Sequence, residues 1–262
     1  MKHIYHPILA LPALLLFVCP VAPQSFAQDI PAGEAAQEKA PLWGLDGGEE
    51  QGPAETAIEA KSSVPGLLVF PSPDKRYAIS WLLRDEAEKA DYEVSNHLVD
   101  LQTGQSIVKL ADGDGDFEGR NHGGMRILWR EGSRALVYRM EGKWAPREVA
   151  VIEIDPAGKI RETNLKKPVA AAFAALLTQK APAIWDNPEG EASEYLDCNI
   201  GCAFNPDGKS LAVEAEFEMN PKQIPGQTYA AGRLTGTFDL VTGKLTVASQ
   251  ELTEAMVVKE EQ

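Results

Sequence analysis

The chain has 262 residues, of which 44% are hydrophobic and 24% are charged, and its formal net charge at pH 7 is −14. An excess of carboxylates repels phosphate backbones and anionic lipid headgroups, so nucleic acids and membrane surfaces are disfavoured as partners. The acidic balance by itself indicates solubility and not an acid-specific activity.

Residues 1–27 have the pattern of a secretory signal peptide. Lys2 precedes an eleven-residue apolar run at 8–18, and residues 25–27 supply the small side chains of a cleavage site. The run is shorter than the ~20 residues that a helix needs to cross a bilayer. We therefore predict a periplasmic or secreted protein without a membrane span. Lipid attachment at Cys19 is the alternative, although the residue before it is larger than such processing sites prefer.

Residues 28–63 are rich in Ala, Glu, Gly, Pro and Gln. This composition buries too little apolar surface to offset the entropy of an ordered chain, and it predicts a disordered linker. From residue 64 to 262 the pattern changes to short alternating apolar runs separated by Pro, Asp and Gly, which is typical of β-strands joined by tight turns. We therefore predict one β-rich domain over 64–262.

The domain repeats one plan of strands and turns three times, in modules over about 67–111, 125–165 and 202–252. Residues such as Pro, Asp and Gly recur between the strands because Pro fixes φ, Asp bonds back to the backbone and Gly takes positive φ. Each module is predicted to be a four-stranded antiparallel meander. Its apolar face would need a neighbouring module to cover it.

The stretches "SPDKRYAIS", "FNPDGKSLAV", "LVDLQTG" and "FDLVTG" resemble the WD40-like (PD40-type) blades of bacterial periplasmic β-propellers. The resemblance implies blade-like meanders and leaves function open, since the fold hosts binding, scaffolding and catalysis. Three modules fall short of the four to eight blades that close a ring. We expect a partial propeller, an open stack of sheets or a curved sheet folded on itself. The stretches "FEGRNHGG" and "EGKWAPREVAVIEID" are also similar to exported bacterial proteins from which no activity carries over.

Residues 168–180 predict one helix between the second and third modules. Pro168 stands near its first turn and Pro182 follows its end. Its apolar side chains share one face and are expected to pack across the end of the β-structure.

The stretch "CNIGC" contains Cys198 and Cys202, the two cysteines that remain after signal cleavage. An even number of cysteines in an exported protein predicts a disulfide. The alternative, half of a tetrahedral zinc site, is weaker because two further ligands are not apparent.

The stretch "DGDGDFEGRNHGG" at 112–124 is the candidate metal loop. Calcium prefers several oxygen ligands from a short loop, and this loop offers Asp112, Asp114, Asp116 and Glu118. The EF-hand pattern fails, because Phe117 and Gly123 stand where Gly and the bidentate Glu are required. The alternative is a solvated turn, in which Asp and Gly serve the backbone geometry. The sequence predicts no cofactor, and calcium is the alternative.

His122 is the weak catalytic candidate, since a hydrolase-like enzyme could use it with the acids at 112–118. His97 lies in a strand pattern, where a packed histidine is more common than a ligand. Trp144 lies in a turn-like stretch and is a candidate ligand contact. The alternation in "VEAEFEM" places Glu214, Glu216 and Glu218 on one face of a strand, which predicts a solvent-facing surface.

The chain lacks a Walker loop, a dinucleotide fingerprint, a His-Glu-x-x-His motif and a Cys-x-x-Cys motif. We therefore predict a non-catalytic exported β-repeat protein that binds a protein, peptide or glycan. The alternatives are the hydrolase-like enzyme and a calcium-stabilised structural module.

Overall fold

The computed structural model describes residues 56–82, 95–110, 124–142, 146–185, 191–219 and 228–257. These residues form three separate four-stranded antiparallel sheets, and in each sheet the strands neighbour one another in chain order. The prediction of three four-stranded meanders is confirmed, and the sheets do not close into a ring.

The strands of each module have the following bounds. Module one contains β1 (Leu67–Val69), β2 (Tyr77–Trp81), β3 (His97–Asp100) and β4 (Gln105–Lys109). Module two contains β5 (Met125–Trp129), β6 (Ala135–Met140), β7 (Glu148–Ile154) and β8 (Ile160–Asn164). Module three contains β9 (Leu196–Phe204), β10 (Ser210–Met219), β11 (Thr228–Asp239) and β12 (Lys244–Val257).

Helix α1 (Lys166–Lys180) lies between modules two and three, as the sequence predicts, and a one-turn helix α2 (Ala192–Tyr195) precedes β9. The inward face of α1 is apolar and buried, and it comprises Val169, Ala170, Phe173, Leu176 and Leu177. Phe173 packs against Phe217 of β10 with ring centroids 4.5 Å apart. The helix therefore seals the end of the core between the second and third sheets.

The second sheet lies in the middle of the stack, because both of its faces are buried. One face, with Leu136, Tyr138 and Ile152, shares a core with module one. The other face, with Val137 and Val151, shares a core with α1 and module three. This order explains why all six residues of β6 are buried, whereas an ordinary antiparallel strand alternates between core and solvent.

The two end sheets of the stack are finished in different ways. The outer face of module one, which contains Leu68, Ala78 and Val99, is covered by Ile58 and Val64 from the preceding segment. The outer face of module three needs no apolar cover, since β10 alternates between buried apolar residues and outward carboxylates. Polar outer faces of this kind terminate stacked repeats, so three modules can form a finished unit.

The turns between the first two strands of each module follow the expected chemistry with one variation. Lys75, Ser133 and Gly208 occupy the same turn position, and each has a φ between 55° and 63°. In module two the preceding residue, Gly132, also has a positive φ of 83°, as in a type II turn. Gly132 therefore stands at the second central turn position, which Asp occupies in the other two modules, and its positive φ forms the turn.

The hairpin of β11 and β12 bends at two β-bulges, which are marked by register shifts at Gly232 and Gly236. A Cβ on Gly232 would lie 2.6 Å from Cε1 of Phe217 and 2.6 Å from the carbonyl oxygen of Glu251. Only glycine lets the hairpin approach the core so closely.

Candidate functional site

The first turns of the three modules lie side by side, and we call this surface the turn face (residues 70–76, 130–134 and 205–209). Between modules one and two, the backbone N–H of Asp74 donates to Oγ of Ser133 over 3.1 Å. Between modules two and three, Nη1 of Arg130 donates to the carbonyl oxygen of Gly208 over 2.6 Å. These hydrogen bonds hold the turns in a row, so that side chains distant in sequence share one surface.

One cavity at the turn face, the aromatic cleft, opens between module two and module three and has a volume of about 840 Å³. Its walls are the end of β5 with the turn after it, and the end of β9 with the turn after it. Leu128 and Phe204 contribute apolar surface, while Arg130, Glu131 and Lys209 are among the charged residues of the lining. The indole of Trp129 packs toward module one, where it stacks on Tyr77 and donates from Nε1 to the carbonyl oxygen of Phe70 over 2.9 Å. A mixed lining and a volume of this size are typical of small-ligand sites.

A second cavity, the basic cavity, lies beside it and has a volume of about 510 Å³. The charged side chains of its lining are four cations and two carboxylates, with a formal balance of +2. They are Arg130, Arg134, Lys159, Arg161, Glu153 and Asp155. This balance is opposite in sign to that of the whole chain, whose net charge is −14.

Each of the three arginines of the basic cavity donates a hydrogen bond to a backbone carbonyl group. Nη1 of Arg134 donates to the carbonyl oxygen of Asp155 over 3.3 Å, and Nη1 of Arg161 donates to that of Val241 over 3.0 Å. Arg130 is held by Gly208 in the same way. Arg161 also pairs with Glu153. Because a guanidinium has five N–H donors, each arginine retains donor capacity after these contacts.

Arg130 lines both cavities, so the aromatic cleft and the basic cavity are neighbours, and we call the two together the groove. An apolar or planar group would fit against Leu128 and Phe204, and an anionic group would fit among the arginines. The groove is the best candidate site among the residues that the structure describes.

Several residues singled out in the sequence lie outside the described residues. They are the candidate calcium ligands Asp112, Asp114, Asp116 and Glu118, the catalytic candidate His122 and the candidate contact Trp144. The signal peptide over 1–27 and most of the linker over 28–63 also lie there. Their roles stay predictions. Within the described ranges, no group of three or more His, Cys, Asp or Glu side chains is arranged to hold a metal ion.

The predicted disulfide is absent, since Cys198 and Cys202 are free and buried. The stretch "CNIGC" is part of β9 and not a turn, so module three begins at Leu196 instead of Cys202. Two residues four apart on a strand are ~13 Å apart, and Cα atoms more than ~7 Å apart cannot be bridged. Burial raises the pKa of both thiols to about 12, and the nearby Arg139 guanidinium offsets this only in part at Cys202.

His97 is a half-buried strand residue whose two ring nitrogens contact serine hydroxyls. Nδ1 lies 2.8 Å from Oγ of Ser106, and Nε2 lies 2.9 Å from Oγ of Ser95. With both nitrogens engaged, the imidazole is held as a structural side chain. This agrees with the expectation of a packed histidine.

The three glutamates of "VEAEFEM" face outward, as their alternation predicts, while Val213, Ala215, Phe217 and Met219 are buried. Glu216 stands opposite Arg233 of β11, and Glu218 stands opposite Asp197 of β9. Burial and the charge of Glu218 raise the pKa of Asp197, although Lys166 opposes the shift. The outward face of β10 is therefore a charged, solvated surface at the end of the stack.

Glu148 at the start of β7 is the carboxyl group with the most perturbed titration among the described carboxylates. Burial, reinforced by the charge of Glu162, raises its pKa to about 7, while Lys166, Lys167 and a hydrogen bond from Asn164 act in the other direction. Tyr138 in turn donates to Glu162. All of these partners lie in or directly after the sheet of module two, so they explain the raised pKa of Glu148 as a structural effect.

The sequence interpretation missed the basic cavity, because its cations come from two separate places in the chain. Arg130 and Arg134 flank the first turn of module two, while Lys159 and Arg161 follow its last turn. Two pairs of cations at the turns of one module, in a strongly acidic chain, were the available signal.

None of the helices in the described part of the chain is both long and apolar enough to cross a membrane. No protein-family model matches the chain, and no match was found among curated proteins or among solved structures.

Proposed function

We propose that this protein is an exported, non-catalytic β-repeat protein that binds a ligand in the groove at the turn face. The export part of the proposal depends on the signal-like pattern of residues 1–27. The repeat part is supported by three meanders of one plan, similar to the blades of WD40-like periplasmic propellers.

The observation that carries the proposal is that two neighbouring cavities share one arginine, which is hydrogen-bonded to the next module. Arg130 is held by a carbonyl of the neighbouring module at 2.6 Å and lines both cavities. A groove whose walls are tight turns and whose polar groups are already oriented loses little conformational entropy on binding. The ligand classes that fit such a groove are a peptide segment or an oligosaccharide.

A screen of labelled protein against peptide and glycan libraries tests the proposal. Glu131→Ala and Lys209→Ala change exposed side chains on opposite walls of the aromatic cleft. We expect each variant to weaken binding of a selected ligand by up to several-fold, since a charged contact of a solvent-exposed side chain contributes roughly 0.2–1 kcal/mol.

The matched controls are Glu254→Ala and Lys180→Ala, which remove the same charges from exposed residues outside the groove. A ligand whose affinity is unchanged by both cleft variants, or reduced equally by the controls, would place binding elsewhere and refute the proposal.

A further inference from the structure

We propose that the basic cavity is the subsite for an oxyanion, a carboxylate or phosphoryl group that belongs to the bound ligand. This inference rests on the proposed binding function and names the chemical group that the groove recognises. It is tested separately from the rest of the groove.

The basic cavity carries a formal balance of +2 within a chain of −14, so it attracts anions locally although the chain as a whole repels them. A concave site lined by one sign of charge attracts the opposite sign more strongly than a flat surface does. The balance of +2 matches a group or a pair of groups carrying two negative charges.

The donors of the basic cavity are partly oriented by the fold. Arg130, Arg134 and Arg161 each donate one bond to a turn carbonyl, at 2.6, 3.3 and 3.0 Å respectively. Each bond restrains one end of its guanidinium before a ligand arrives. A planar fork of N–H donors binds carboxylate and phosphate oxygens in pairs.

Lys159 lines the basic cavity and is exposed to solvent. Arg130 lies between the basic cavity and the aromatic cleft, whose lining includes Leu128 and Phe204. The ligand is therefore expected to carry its anionic group next to an apolar or planar part.

A purely structural role for the arginines is the competing explanation, because two of the three carbonyl bonds join module two to module three. Arg134 separates the two explanations, since its bond to the carbonyl of Asp155 stays within module two. Lys159 separates them further, because its side chain is exposed.

The experiment uses the full chain and measures binding of inorganic phosphate and of succinate by calorimetry at constant ionic strength. The variants are Arg134→Gln and Lys159→Gln. The control is Arg233→Gln, which removes the same charge from β11, six residues before Asp239 and ~20 Å along the strand from the turn. We expect Arg134→Gln to weaken anion binding about tenfold, Lys159→Gln to weaken it several-fold, and the control to have little effect.

The two probes distinguish the source of the oxyanion. Binding of phosphate alone supports a phosphoryl group, binding of succinate alone supports a carboxylate, and binding of both supports the shared oxyanion site. Absence of binding by both probes at tens of millimolar overturns the inference. Equal weakening by Arg134→Gln and Arg233→Gln also overturns it, because the effect would then be one of total charge. If Arg134→Gln does not fold, the comparison of Lys159→Gln with the control decides.

Failure here can be told apart from failure of the proposed function. Loss of a selected ligand in the Glu131→Ala and Lys209→Ala variants, together with absent phosphate and succinate binding, would keep the groove and remove the oxyanion subsite. Anion binding without any effect of those two variants would keep the subsite and remove the proposed peptide or oligosaccharide ligand.

Discussion

Arg130 of module two donates from Nη1 to the carbonyl oxygen of Gly208 in module three over 2.6 Å. The same guanidinium lies alongside Gly208, with Nη1 3.5 Å from the position that a Cβ would take. Gly208 has a φ of 63°, which glycine adopts without strain, so its contribution is to the turn and not to space for the arginine. One side chain thus joins two sheets and lines both cavities of the groove.

Replacing Arg130 should weaken the junction between modules two and three. Arg130→Met removes a charged donor from a partly buried carbonyl, and we expect the free energy of unfolding to fall by about 1 kcal/mol. Urea unfolding measures the change. Arg134→Met is the control, because its carbonyl bond is longer and stays within one module. A larger loss in the control than in Arg130→Met would contradict the role of Arg130 as the connecting residue.

The close approach at Gly232 can be tested with a single methyl group. Gly232→Ala places a Cβ 2.6 Å from Phe217 and from a backbone oxygen, so we expect a loss of about 1–3 kcal/mol in stability. Gly124→Ala is the matched control, because its Cβ would meet nothing closer than 3.7 Å. Thermal unfolding should show a lowered midpoint for the first variant only. Equal midpoints would mean that the hairpin is not held against the core as described.

The two buried thiols should be unreactive in the native protein. A pKa of about 12 leaves little thiolate at pH 8, and burial blocks access of a thiol reagent. We expect Cys198 and Cys202 to react only after unfolding, with no change in protein mass on reduction. Val241→Cys supplies the positive control, because Val241 is 67% exposed and its thiol should react at once. An increase in mass on reduction would reinstate a disulfide.

The outward glutamates of β10 should prevent a further sheet from stacking on module three. A triple change of Glu214, Glu216 and Glu218 to Val exposes an apolar strand face, and we expect self-association or aggregation. Light scattering after size-exclusion chromatography measures the molar mass. The triple change to Gln keeps the face polar and should retain the molar mass of the unmodified protein. Association of the Gln variant would show that charge, and not apolar surface, controls this face.

Glu148 should make stability depend on pH. Its pKa is about 7 in the folded protein, above its ordinary value of 4.5, so folding favours the protonated form. The stabilisation from that proton is fully present below pH 4.5 and is lost as pH rises through 7.

Glu148→Gln is neutral at every pH and should remove this dependence. At pH 8 it should be more stable than the original protein by about 1–2 kcal/mol, after allowance for partial solvent exposure, and the two should converge near pH 4. Chemical unfolding across this pH range measures the difference, with the exposed Glu254→Gln as control. A difference that does not vary with pH would assign the effect to packing.

The meanders and the helix were predictable from the sequence for a local reason. Turn residues such as Pro206, Asp207 and Gly208 restrict the backbone wherever they occur, and alternation in β10 assigns inward and outward faces without knowledge of the partner strand. The same local reasoning failed at Cys198 and Cys202. Their close spacing is compatible with a turn closed by a disulfide. In the structure, Cys198, Ile200 and Cys202 are alternate residues of β9 and form its buried side.

The sequence by itself determined the class of the protein: short strands, tight turns and three copies of one unit, because these features depend on residues near each other in the chain. Only the tertiary structure decided how the copies stack, which face ends the stack and where the groove lies. The groove depends on Arg130, Arg134 and Arg161, which meet carbonyl groups of residues as many as 80 positions away. Such contacts follow from the packing of one sheet on another, and no local pattern in the chain encodes them.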